Sequence, residues 1–133
     1  MAKVTANIIC NYAEVRGGLL YVMSGGLTRM IRPEVPAPLG AMLAVMVEIP
    51  YDETYLVHEL SITVRQVETA AVVGRVSMGF QLEPVDLNPG ESVYYPVAVH
   101  LEDLSLPALG QYDLTAAVDG TPGVTTSTYV VLG

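Results

Sequence analysis

From Leu106 the chain reads Leu-Pro-Ala-Leu-Gly-Gln-Tyr, then sets Leu114, Ala116 and Val118 at every second position and reaches the dipeptide Asp119-Gly120. Alternation with period two marks a strand with one buried face, and Asp-Gly is a turn that accepts left-handed backbone. The stretch therefore predicts a hairpin from Tyr112 to Val130. A tyrosine two residues after Gly110, at a strand entrance, has the placement of a tyrosine corner, in which the phenol bonds back to upstream backbone and pins a crossover between sheets. Tyr112, Gly110, Asp119 and Gly120 are thus expected to be structural residues. A chain closed by such a corner is confined to an all-β fold, an immunoglobulin-like Greek-key β-sandwich.

The remaining sequence repeats the pattern. Val4 to Cys10 alternates, which places Ala6, Ile8 and Cys10 inward and Thr5, Asn7 and Asn11 outward. Leu19 to Met23 and Leu27 to Ile31 are apolar runs set off by Gly17-Gly18 and Gly25-Gly26, read as two strands or one strand broken by a bulge. Arg32 to Pro38 holds three prolines, which lack the N–H a central ladder needs, and is read as an extended loop. Met42 to Ile49 is apolar on both faces, so it is a central strand or one whose outer face meets a partner. Leu60, Ile62 and Val64 alternate, as do Val76, Met78, Phe80 and Leu82, and the two runs predict a hairpin. Asn88-Pro89-Gly90 is a turn, and Val93 to Leu101 a further strand. About seven to nine strands result, with no repeat or linker to divide them, so residues 1–133 are read as one domain.

Composition narrows the function classes. The chain is 51% hydrophobic and only 15% charged, against roughly a quarter charged in ordinary soluble domains. A surface with an apolar patch for a partner accounts for part of that excess. The net charge of −8, with six scattered basic residues, argues against nucleic acid and against anionic membrane surfaces. The N-terminal residues lack the apolar stretch of a signal peptide, and no window approaches the length of a membrane span. A single cysteine permits no intrachain disulfide, and a cytoplasmic location is expected.

Four stretches, Ala6-Asn7-Ile8-Ile9-Cys10-Asn11-Tyr12-Ala13, Gly18-Leu19-Leu20-Tyr21-Val22 with Gly25-Gly26, His58-Glu59-Leu60 and Leu109-Gly110-Gln111-Tyr112, resemble a family of short, uncharacterised bacterial β-sandwich proteins. The resemblance spans most of the chain and implies a cytoplasmic sandwich. That family has no assigned activity, so the resemblance implies no catalytic residue.

No motif in the chain assembles a known chemistry. Cys10 is expected on a core-facing side, where a cysteine behaves as a small apolar residue, and there is no Gly-x-Ser-x-Gly elbow. His100 and Glu102 share one face of a strand, but two ligands fall short of the three or four that zinc takes. Asp52-Glu53 and Asp86 with Asn88 lack calcium-loop spacing, and the glycine pairs lack the Gly-Lys-Ser/Thr of a phosphate loop. No catalytic residue, cofactor or metal is therefore expected. Tyrosine and methionine are enriched at the centres of interfaces. Met42, Ala44, Met46, Tyr94, Tyr129 and Val131 are the expected contact residues, with Thr125 to Leu132 as an uncharged edge open to strand addition. The leading expectation is a non-catalytic binding or structural module, a homo-oligomer or one that docks on a protein partner through apolar strand faces. The alternatives are a small-molecule or metal-dependent enzyme with a pocket using His58, His100 and Glu102, and a phage or particle shell component.

Overall fold

Leu60, Ile62 and Val64 on one run and Leu114, Ala116 and Val118 on another are all buried, while the residues between them reach towards solvent. The computed structural model, which describes residues 1–84 and 86–133, places these runs side by side in a sheet. In chain order the strands are β1 Lys3–Arg16, β2 Leu19–Gly25, β3 Arg29–Arg32, β4 Ala37–Pro38, β5 Met42–Ile49, β6 Val57–Gln66, β7 Val72–Gln81, β8 Val93–His100, β9 Ser105–Leu106, β10 Gly110–Val118 and β11 Val124–Leu132. The chain is all-β. Among the described residues the one helical segment is a 3-10 turn at Tyr51–Glu53, and no helix is long and apolar enough to cross a membrane.

One sheet has the order β2-β1-β5-β8, a second has β3-β11-β10-β6-β7, and β4 with β9 makes a small ribbon. The inward faces of both sheets share one apolar cluster, with Ile9, Leu43, Val45 and Val47 from the first and Leu60, Ile62, Leu114 and Val118 from the second. The hairpin predicted around Leu60 and Met78 forms as β6–β7, in which Leu60 faces Met78 and Ile62 faces Val76. Tyr112 is fully buried. Its hydroxyl donates to the Ala108 carbonyl at 2.7 Å and accepts the Ala108 N–H at 3.2 Å. Asp119 and Gly120 take positive φ of 52° and 72° and turn the chain from β10 towards β11.

Three expectations are corrected. In β1 the faces are reversed: Ile9 lies in the core and Asn7 is buried, whereas Ile8 stands on the outer face, partly exposed. The ladder with β5 shifts between Val4 and Ala6, and one extra residue exchanges the two faces of everything beyond it. Asn7 is accommodated because its Nδ2 donates to the carbonyls of Leu114 at 3.0 Å and Val124 at 2.8 Å, both in the opposite sheet. Its Oδ1 has no partner among the described residues.

The second correction concerns β11. It is not an edge at Tyr129 to Leu132, because β3 pairs there in parallel, Tyr129 with Arg29 through Leu132 with Arg32. Third, Met42 and Ala44, expected at an interface, are buried within the chain. They form a small cluster with Cys10 and Ala13, against which Leu20 and Ala98 pack. The cover comes from the distal half of β1 together with β2, which lean over the outer face of the first sheet.

Candidate functional site

The leaning element is a hairpin arm. The β1–β5 ladder ends at Cys10, and from there β1 pairs with β2, from Cys10 opposite Gly25 to Arg16 opposite Leu19. Gly17 and Gly18 both adopt positive φ, 58° and 75°, which a two-residue hairpin turn matching the strand twist requires. On the side facing the sheet, Ala13 is buried and its N–H donates to the Met42 sulfur at 3.5 Å. The register puts Tyr12 beside Met23, Glu14 beside Tyr21 and Arg16 beside Leu19 on the other side. Leu19 and Met23 are each 63% exposed, and the two tyrosines are about half exposed. One ion pair crosses this face, Arg16 to Glu14 at 2.8 Å. The Arg16 guanidinium also lies 5.9 Å from the Tyr21 ring centre. Leu20 packs on the small cluster around Met42, but no residue of β2 belongs to the main core, and Leu19, Tyr21 and Met23 are not explained by packing inside the chain.

His58 is the centre of a second cluster. It is 1% exposed, with Nδ1 2.7 Å from Asp119 Oδ2 and Nε2 2.8 Å from the Glu53 carbonyl oxygen. Both partners accept, so both bonds form together only when the ring carries both protons. Burial opposes that charge, but the Asp119 hydrogen bond, the Glu53 carbonyl and the nearby carboxylates outweigh it and raise the His58 pKa above its usual 6.5. Burial likewise opposes the Asp119 carboxylate, and the bonds from His58 and the Glu59 N–H outweigh it and lower its pKa. The Glu53 carboxylate meets the Met1 amino group at 2.9 Å and the Ala2 N–H at 3.1 Å. Glu53, His58 and Asp119 offer ligand atoms within 4.8 Å of one another, yet each ring nitrogen is already committed to a hydrogen bond. The cluster fastens the turn after β10 to the start of β6.

The structure does not bring His58 to His100. His100 is exposed beside Glu102, its Nδ1 3.2 Å from that carboxylate. His100 and Glu102 rim a recess of about 480 Å³ floored by Ile62, Val64 and Leu104, with Arg75 also at its border. Cys10 is fully buried, and burial pushes its thiol pKa up, away from nucleophilic use. Of the expected contact residues, Tyr94 and Tyr129 are exposed, and Met46 and Val131 are half-buried. Sequence reasoning missed the arm as a unit, although a signal was present in the Gly17-Gly18 turn between the alternating Tyr12 to Arg16 and the apolar Leu19 to Met23. It also missed the partnership of His58 with Asp119, residues 61 positions apart.

Residues 5–131 match the model of a family of unknown function, DUF6941, and the chain belongs to that family. No curated protein and no solved structure matches it.

Proposed function

We propose that this member of a family of unknown function is a non-catalytic interaction module, an immunoglobulin-like Greek-key sandwich that engages protein through the outward face of its β1–β2 arm. The strand order supports the fold reading. Strands β1-β5-β8 against β7-β6-β10-β11 correspond to the A-B-E and C′-C-F-G sets of immunoglobulin-type sandwiches, with the corner tyrosine at the start of the F strand, here β10. Strand β2 has no counterpart in those sets, which marks the arm as an addition to the common core.

The observation that carries the functional reading is the arm's face of Tyr12, Leu19, Tyr21 and Met23, exposed and apolar on an element outside the main core. Contiguous exposed apolar surface of this kind marks interaction sites in soluble proteins. The enzyme alternative draws less support, because His58 is locked between Asp119 and Glu53 while His100 and Glu102 lie apart from it. A photo-crosslinker placed at Leu19 in expressing cells tests the reading. A discrete cross-linked product, absent when the crosslinker is placed at exposed Tyr55, is expected; the same faint smear from both positions would overturn it.

A further inference from the structure

Among the described residues the two large sheets have four edge strands, β2 and β8 in the first and β3 and β7 in the second. An open edge is a template for another strand, and proteins protect such edges with proline, charge, shortness or irregularity. Strand β8 contains Pro96, which has no N–H to donate. Strand β3 is four residues long and begins and ends with arginine. Strand β7 carries Arg75 between Gly74 and Val76, and its ladder with β6 is irregular between Val64 and Arg65. Strand β2, Leu-Leu-Tyr-Val-Met-Ser-Gly, has seven residues with neither charge nor proline.

We infer that the partner of the arm is a second copy of this chain, joined by antiparallel pairing of β2 with β2 across a two-fold axis. The inference rests on the reading of the arm as a docking element. Charge selects the occupant. The chain carries a net charge of −8, yet from Cys10 to Leu27 its charges are Glu14 and Arg16, already paired with each other. Two copies of an acidic protein repel over most orientations, and approach through the arm keeps the excess charge of both away from the contact.

The sequence of β2 is also self-complementary. With the axis at Tyr21, Leu19 faces the partner subunit's Met23 and Leu20 faces the partner subunit's Val22, so every opposed pair is apolar. An isologous contact of this kind closes at two copies rather than propagating. The register places Leu19, Tyr21 and Met23 on one face of β2 and Val22 on the other, all exposed, so pairing at the edge sets them side by side with their counterparts in the second copy. Lateral packing of this kind buries less than the roughly 1,000 Å² of a standard specific contact. Main-chain hydrogen bonds along β2 add what side chains alone do not. A contact of this size gives a dimer that dissociates on dilution.

Light scattering on a sizing column, from about 1 to 200 µM, reads the mass. The expected result is a rise from 14.2 kDa towards twice that value. Tyr21→Lys, which sets like charges face to face across the axis, is expected to hold the mass at the monomer value with an unchanged thermal melt. Tyr21→Cys is expected to form a covalent dimer under mild oxidation, since Cys10 is fully buried and does not compete, while Tyr55→Cys stays monomeric. If Tyr21→Lys fails to fold, the Tyr21→Cys cross-link decides by itself. A wild-type mass of one chain throughout overturns the second-copy partner, and a discrete Leu19 photo-product to another protein would then leave the docking reading standing. A dimer that persists in Tyr21→Lys and yields no Tyr21→Cys link overturns the β2 pairing, although self-association survives.

Discussion

Two hairpins of this chain solve the outward face in opposite ways. On β10–β11 the inward residues Tyr112, Leu114, Ala116 and Val118 are buried, and two outward pairs are occupied with one another: Thr115 and Thr125 share a 2.8 Å hydroxyl contact, and Ser127 donates to Asp113 at 2.6 Å, while Tyr129 stands exposed beside Gln111. Cross-strand pairs of that kind stabilise a sheet whose outer face is water. On β1–β2 the burial is slight, and the outward pairs are Tyr12 with Met23, Tyr21 with Glu14 and Leu19 with Arg16. One hairpin settles most of its outer face with polar pairs inside the chain. The other keeps apolar surface on Leu19, Tyr21 and Met23 that its own chain does not cover, and the proposed docking rests on that surface.

The sharpest way to break the contrast is to remove inward packing from the β10–β11 hairpin. Leu114→Ala is expected to lower stability by about 2–5 kcal/mol in denaturant unfolding, through lost contacts and an unfilled cavity. Next in size is Tyr112→Phe. It leaves the Ala108 carbonyl and N–H without their partner and should cost about 1–3 kcal/mol with an unchanged denaturant slope. A smaller effect is expected from pH, through the latch that ties the β10 turn to β6. The folded pKa of His58 is raised above 6.5, so its contribution is complete below that pH and is lost as pH rises through the folded value. Asp119 acts in the opposite sense: its pKa is lowered from 3.8, so its contribution is present above that pH and is lost as pH falls through the lowered value. Thermal melts at pH 6 and pH 9 should therefore differ by a few degrees, on the order of 1 kcal/mol, and His58→Gln should flatten the difference. An undiminished slope in that variant would assign it to other groups. The smallest effect is expected on the arm, where Leu19→Ser with Met23→Ser should change unfolding stability by less than about 0.5 kcal/mol. A loss several times larger would make the arm part of the fold and erase the contrast.

The regions that were legible in the sequence are those where local alternation and final burial agree. Leu60, Ile62 and Val64 and Val76, Met78 and Phe80 announced β6–β7, and Gly110 and Tyr112 announced the corner, because each signal is complete within a dozen residues. Alternation failed in β1, since a bulge at Thr5 leaves no mark in the hydrophobic pattern yet turns Asn7 inward and Ile8 outward. It failed for Met42 and Ala44 because their cover, Ala13 and Leu20, arrives from a hairpin well before them in the chain. The pairing of β3 with β11 joins segments about a hundred residues apart, and nothing in four residues of β3 names its partner. In the candidate site, the polar half was opaque for the same reason: the Asp119 that serves as a turn residue locally is also the hydrogen-bond partner of His58.

Asn7 gives the molecule something that its core does not. Leucines and valines fill a space between two sheets almost equally well after a small slide, because dispersion and burial are indifferent to direction. An amide NH2 that donates to two particular carbonyls, those of Leu114 and Val124, has both its bonds in one alignment and loses them in the neighbouring ones. The side chain thus works as a key between the sheets, setting their relative phase. Asn7→Leu would then leave a protein of similar stability whose two halves no longer agree on a single alignment, with broadened backbone amide resonances in β1 and β11 as the mark of that lost phase.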